Sequence, residues 1–250
     1  MLTTPAPHGV AARGRVHDVP DQREPNRSDD FADTSFGPQW HWQANPHPDW
    51  ARLPGDGTLH LAVQAVDRGN LRELPCVLAQ QLPGRPSEVT TSLSLESDAP
   101  GARTGLVVLG LDYAWIGLEQ GVAGLHLVCR RKGTADAEDS MAAPTVLRRS
   151  LDSPRSGPPA SVRATTDVTG LVRFSWSIDG RTTWHRVGLP FQAAAGQWIG
   201  AEIGLFACAP VEAGGQRGED LQGSAVFRAV EFTVKPASDA ARPASDEGTS

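Results

Sequence analysis

Short stretches in which every second residue is apolar recur along most of this chain, and a period of two marks strands that bury one face. Val89, Thr91, Leu93 and Leu95 share one face of a strand predicted over 89–95. Leu59, Leu61, Val63 and Ala65 alternate in the same way over 59–66. Apolar runs follow at 106–109, 114–118 and 125–129, punctuated by Gly110, Gly121 and Gly124. Glycines so placed mark turns between strands. Between 171 and 187 the pattern predicts a hairpin: Val172, Phe174, Trp176 and Ile178 alternate inward, Asp179-Gly180 supplies a tight type I′ turn, and Trp184 falls on the return strand. Two more strands are predicted over 198–208 and 225–234, the second with Val226, Arg228, Val230 and Phe232 on one face.

Roughly a dozen strands without a convincing amphipathic helix predict an all-β fold, two antiparallel sheets packed as a sandwich or jelly roll. Residues 133–158 break the pattern and read as a long loop holding one short strand near 145–149. Residues 1–28 are rich in Pro, Arg and Asp, and 235–250 are a low-complexity Pro/Ala/Ser/Asp tail, so both read as disordered linkers flanking a sandwich over 29–234. The stretch 29–50 gathers Phe31, Phe36, Trp40, Trp42 and Trp50. Aromatics this dense either seal a core or form a ligand platform. Trp40 and Trp42, two apart on a predicted strand, should share a buried face, with Trp50 covering an edge after a turn at 45–48.

Composition narrows the function classes. The 250 residues suffice for one large sandwich, and 26 Gly with 20 Pro favour turns over helices. Net charge is −6, from 23 basic against 29 acidic residues, so nucleic acid is not an expected partner. Cys76, Cys129 and Cys208 are odd in number, far apart and set among apolar residues, which predicts buried thiols rather than disulfides or a zinc site. Neither a signal-type apolar segment nor a membrane-length apolar run is evident, and a cytoplasmic protein that does not contact membranes is expected.

Hydrolytic chemistry on a sandwich needs carboxylates aimed into one cleft. The Glu-x-Asp-x-x-Glu spacing that achieves this on a single strand is missing. Its nearest approach, Glu96 and Asp98, has no third acid and reads as exposed strand-end charge. Nucleophile-elbow, phosphate-loop and zinc-peptidase motifs are absent too. His41 and His47 lie near one another and are candidates for a sugar or metal contact, or else structural or solvated side chains.

Four blocks in order carry a resemblance: DDFADTSFGPQWHWQANPHPDW at 29–50, GLVVLGLDYAWIGLE at 105–119, FSWSIDG at 174–180 and GQWIGAEIGLFA at 196–207. Together they resemble the C-terminal concanavalin A-like β-sandwich of glycoside hydrolase family 43, the family of β-xylosidases and α-L-arabinofuranosidases. In that family the catalytic carboxylates belong to an N-terminal β-propeller. Only 28 residues precede the predicted sandwich, so a propeller and its catalytic residues are not expected in this chain. The resemblance implies a non-catalytic accessory module that supports a propeller catalytic domain or chain in the degradation of xylan, arabinan side chains or xylo-oligosaccharides. A stand-alone lectin-like sandwich that binds oligosaccharide is the alternative.

Family sandwiches can lend an aromatic to the propeller's sugar pocket. The matching position here is Gln197 or Trp198, and Trp198 is the candidate, with burial in the core as its other reading. Related sandwiches can also hold a structural calcium between an early Asp and an acidic last strand. Arg228 stands on that strand here and disfavours a cation at Asp29 or Asp30, so no cofactor is expected. The segment 74–83 departs from the family pattern as well, with Gln81-Leu82 where a Lys-Phe pair is common. A docked accessory module should present an apolar patch. A lectin should instead present exposed aromatics flanked by polar groups such as Gln43, Asn45 or Arg68.

Overall fold

The computed structural model describes residues 27–67, 70–133, 145–151, 158–195, 200–211 and 223–235. In chain order the strands are β1 (His41–Trp42), β2 (Ala51–Arg52), β3 (Thr58–Ala62), β4 (Gln64–Asp67), β5 (Leu78–Gln81), β6 (Ser87–Glu96), β7 (Arg103–Leu109) and β8 (Tyr113–Gly121). They continue with β9 (Gly124–Lys132), β10 (Thr145–Ser150), β11 (Ala160–Thr166), β12 (Leu171–Ser177), β13 (His185–Arg186), β14 (Phe191–Gln192), β15 (Glu202–Val211) and β16 (Ser224–Val234). Two single-turn 3-10 helices, Pro48–Trp50 and Leu71–Glu73, interrupt them.

The strands form two sheets. The first runs β1-β5-β15-β7-β8-β9-β10 with β4 beside β15, and the second β13-β12-β11-β6-β16-β3-β2 with β14 beside β12. All pairings are antiparallel except β4 with β15. Between the sheets lies the main core. Leu59, Leu93, Val162, Phe174 and Phe227 of the second sheet face Leu106, Ile116, Leu127 and Leu205 of the first. Interleaved inner faces of this kind are what hold a sandwich together. At one edge Trp176 stacks on His185 and lies under the guanidinium of Arg149 from β10, so a cation and an aromatic close the gap between sheets.

The first sheet has a second apolar layer on its other face. Val66, Leu71, Leu74, Cys76 and Val77 cover Val107, Trp115, Phe206 and Cys208. Strands buried on both faces read as continuous apolar runs rather than alternating ones. This explains why 106–109 is Leu-Val-Val-Leu, and why all seven residues of β7 are buried. All three cysteines are free and buried. Burial pushes the Cys76 thiol up to about 12, with the neighbouring Cys208 adding to it, and burial likewise pushes Cys129 up to about 12.

Several predicted elements take a different form. The run 59–66 breaks at Val63, whose N–H donates to the Gly223 carbonyl (3.0 Å), so β3 joins the second sheet and β4 the first. The hairpin after β12 is not a two-residue turn. Trp176 pairs with His185, and the wide connection between them carries Trp184 ahead of the return strand. The Asp179 carboxylate makes this loop, accepting from the Ser177 hydroxyl (2.6 Å) and the Thr183 N–H (3.0 Å). Such bonds compete with a tight turn. Along β16 the inward face changes phase at a bulge. Ala225 and Phe227 point inward before it, Val230 and Phe232 after it, and Arg228 is exposed.

The stretch 29–50 packs in a way that only partly matches its alternation. Trp40 and Trp42 both lie against the main core, but Trp40 precedes β1 and sits 6.2 Å from Phe31, whereas Trp42 meets Phe36 (5.8 Å) and Trp50 (5.5 Å). Trp42 and Trp50 also pack against the second apolar layer. Upstream, Arg27 exchanges two hydrogen bonds with the Gln80 side chain (3.0 and 2.9 Å), and Ser28 does the same with the Phe232 backbone (3.3 and 2.9 Å). Both residues, expected in the leader, are therefore tied to the sandwich. The remaining leader residues 1–26, the tail 236–250 and most of the loop at 133–158 lie outside the described residues.

Candidate functional site

The outer face of the first sheet brings a buried carboxylate to the end of β15. Glu202 is only 4% exposed at its side chain, yet one of its oxygens lies 2.6 Å from His41 Nε2 and accepts from Gln81 Nε2 at 3.1 Å. Register explains the meeting. Glu202 pairs with Gln81 on β5, and His41 pairs with Ala79 two residues away on the same face. His47, the other candidate histidine, is exposed and accepts from the Asp49 N–H at 3.3 Å, capping the first 3-10 helix.

Trp198 lies outside the described residues, but the segments on either side of it are well anchored. Before it, Ala193 N–H donates to the Gly170 carbonyl at 3.0 Å. Gly110, in the β7–β8 turn, approaches Ala194 so closely that a Cβ there would lie 2.0 Å from the Ala194 carbonyl oxygen. After it, Leu82 N–H donates to the Ala201 carbonyl at 2.8 Å, and Glu202 begins β15. Ala201 and Glu202, described residues that closely follow 196–199 in sequence, thus stand beside Leu82, Gln81 and His41.

A second polar cluster occupies the same sheet face further along. Glu119 takes a two-pronged contact from Arg130 (2.9 Å to each oxygen) and another from Arg148 (3.3 Å), across β8, β9 and β10. Arg103 stands directly opposite Glu119 on β7, buried, with its Nε in no hydrogen bond. One carboxylate shared by guanidinium groups from different strands is an ion-pair staple, not an acid-base pair.

The acids singled out from sequence play other parts. Asp29 closes a turn: Oδ1 accepts from the Phe31 N–H (2.9 Å) and Oδ2 from Trp40 Nε1 (2.7 Å) and Gln39 Nε2 (3.3 Å). These bonds offset the cost of a positive φ (56°) at buried Phe31. Asp30 accepts from the Ala32 N–H at 3.1 Å. Glu96 and Asp98 are exposed at the end of β6. Among the described residues no group of His, Cys, Asp and Glu is arranged to hold a metal ion.

The two surface expectations divide in the same way. The exposed large apolar side chains among the described residues, Leu111, Val122, Val168 and Leu189, stand in four different connections. Gln43 is engaged by the Arg72 carbonyl (2.9 Å), Asn45 is exposed, and Arg68 lies outside the described residues. Sequence reasoning missed Glu202 and Glu119, because their partners come from strands that only register brings together. The alternation of Tyr113, Trp115, Gly117 and Glu119 on one face was the available signal for the latter.

Comparison with known proteins decides the family. The model for the β-xylosidase C-terminal concanavalin A-like domain matches residues 28–219. The chain belongs to this family. Solved structures agree on the fold of the family 43 sandwich. It superposes on an engineered family 43 glycoside hydrolase described as displaying endo-xylanase and exo-arabinofuranosidase activity, with TM-score 0.71 and 19% identity over 92% of this chain and 44% of that one. A xylan β-1,4-xylosidase from Bacillus halodurans gives TM-score 0.65 at 16% identity, covering 86% of this chain and 41% of that one. A bifunctional family 43 protein from Bacteroides eggerthii gives 0.69 at 19%, covering 84% and 26%. The sandwich therefore spans less than half the length of these neighbours. No curated protein sequence matches it. Among the described residues no helix is long and apolar enough to cross a membrane.

Proposed function

We propose that this sandwich serves as the accessory module of a family 43 glycoside hydrolase, packing against a catalytic propeller and completing its sugar site rather than performing the hydrolysis. The observation that carries this reading is the partial coverage. The sandwich aligns over most of its own length with less than half of each neighbouring hydrolase. The substrate class follows from those neighbours, xylan-derived and arabinose-bearing oligosaccharides.

Within this reading Trp198 is the residue that reaches the partner's pocket. Of the described residues that flank it, Ala194 lies against Gly110 and Ala201 accepts from the Leu82 N–H, which supports a role for it at this end of the sandwich. Glu202, His41 and Gln81 would then act as positioning residues that hold the start of β15, which follows Trp198 closely in sequence.

The test is reconstitution with a separately produced family 43 catalytic domain, assayed on an aryl xyloside. A one-to-one complex with a lowered KM is expected, and Trp198→Ala should raise KM while the melting temperature stays unchanged. Absence of association overturns the accessory role. A large loss of stability in Trp198→Ala with unchanged kinetics makes that residue part of the core instead.

A further inference from the structure

We infer that the outer face of the second sheet carries a carbohydrate-binding platform centred on Trp184, an assignment independent of the proposed role of Trp198. Six of the seven tryptophans are described, and Trp40, Trp42, Trp50, Trp115 and Trp176 all pack in or against one of the two apolar layers. Trp184 packs against neither. A half-buried tryptophan on a polar surface leaves apolar area in water, a cost that a ligand can relieve.

Trp184 is held in place by charge. The Arg163 guanidinium lies 3.8 Å from the centre of its ring. Arg163 is itself fixed by Glu88 (3.3 Å) and by the Thr90 hydroxyl (3.3 Å) on the neighbouring strand. One ring face is thereby occupied, while among the described residues no other aromatic ring or guanidinium covers the indole. Trp40 donates its indole N–H to Asp29, but no described residue accepts from that of Trp184.

The sheet beneath is built of hydrogen-bonding groups. Glu231, Thr90, Arg163, Ser175 and Arg186 stand directly opposite one another across β16, β6, β11, β12 and β13, and so share the outer face. Its charges are largely paired among themselves, Arg163 with Glu88, Arg181 with Glu231 and Arg173 with Asp167. A field compensated in this way does not select a phosphate or a polyanion.

A half-buried ring whose chain neighbours Thr182 and Thr183 are exposed, over a sheet face of mutually paired charges, suits a neutral oligosaccharide of β-linked pyranoses. The axial C–H groups of such a sugar make a flat apolar surface for the indole, and its equatorial hydroxyls reach sideways to the rim. Wide loop geometry supports the placement. Residue Asp179 and its hydrogen bonds to Ser177 and Thr183 lift the chain over the sheet, and Arg181, anchored on Ser92 (3.1 Å) and Ser161 (3.4 Å), ties the loop down beside the ring.

Titration of the chain with xylohexaose and with cellohexaose, followed by calorimetry and by the indole N–H resonances, tests this assignment. Binding of at least one oligosaccharide at millimolar concentration is expected, with the Trp184 indole resonance shifting in the unmodified protein. Trp184→Ala should weaken binding about tenfold or more, the scale of one lost aromatic contact, and Trp184→Phe should retain part of it. No catalytic domain is present in this titration, so its outcome is separate from that of the accessory role. Absence of binding by both sugars, or binding that neither shifts Trp184 nor weakens in Trp184→Ala, overturns the proposal.

Discussion

Glu202 and His41 are 161 positions apart in sequence and meet at 2.6 Å, tying the aromatic stretch near the start of the sandwich to the first residue of β15. The pair is lopsided, with the glutamate side chain 4% exposed and the imidazole 38%. Removing one partner costs most when the survivor is a buried charge. His41→Ala should therefore destabilise more, by roughly 2–3 kcal/mol, because Glu202 would keep only Gln81 as a donor. Glu202→Ala should cost about 1–2 kcal/mol, since water can reach the freed imidazole. Urea unfolding of both single variants and the double variant measures this. Equal small losses that simply add would show the contact to be idle.

The thiols give a pH prediction with a definite sign. Cys76 and Cys129 hold their protons up to about 12 in the folded chain, against an ordinary value of 9.0, because burial penalises the thiolate. A raised folded-state value stabilises fully below the unfolded value and is lost as pH climbs toward the folded one. Stability should accordingly decline from about pH 9 toward pH 12, and replacing Cys129 by Ser or Ala should flatten that limb. Ellman's reagent should find no reactive thiol among the three at pH 8 without denaturant and three with it. Rapid labelling of the native chain would contradict the burial of these residues.

Asp179 acts in the opposite direction. Hydrogen bonds from the Ser177 hydroxyl and then from the Thr183 N–H bring its carboxyl down to about 2 from 3.8. A depressed value contributes stability above the unfolded value that is lost as pH falls through the folded one. Asp179→Asn should melt below the unmodified protein at pH 6, and the difference should close as pH drops from about 4 to about 2. A gap that persists at pH 2 would mean that the side chain's shape, not its charge, supports the loop.

Alternation along single strands was readable wherever one strand carried its own signal. Val89, Leu93 and Leu95 do face the main core, as do Val172, Phe174 and Trp176. Reading failed where a polar side chain competes with the regular pattern, as Asp179 does in the wide loop that moves Trp184 off the return strand. It also failed where contact depends on register between distant strands. Nothing within 196–207 distinguishes Glu202 as a buried residue facing His41, because β5 must lie between β1 and β15 before the two can meet. The apolar run of β7 was legible as a strand but not as one covered on both sides, since its second cover comes from 64–77, far from the sheet partners that form the main core.

The bulge at Ala229 offers the sharpest test of the fold. β16 pairs with β6 in one register up to Arg228 and in a shifted one from Val230 onward, so a single extra residue reverses which side chains face inward. Phe227, fully buried, precedes the shift, and Val230 and Phe232 follow it. Ala229 takes a positive φ of 24°, which glycine tolerates better than alanine. Ala229→Gly should therefore be neutral within about 0.5 kcal/mol, relief of strain offsetting the added freedom of the unfolded chain. Deleting Ala229 should be tolerated as well, because it removes only the extra residue: Arg228 opposite Ser92 and Val230 opposite Thr91 become consecutive pairs, and Val230 and Phe232 keep facing inward. Val230→Asp should behave very differently, because it places a carboxylate at a buried inward position. That variant should fail to give a cooperative thermal transition, whereas Ala229→Gly and the deletion should both melt cooperatively. A deletion variant that does not fold would show that the strand needs the bend Ala229 introduces, and not only the inward face that resumes at Val230.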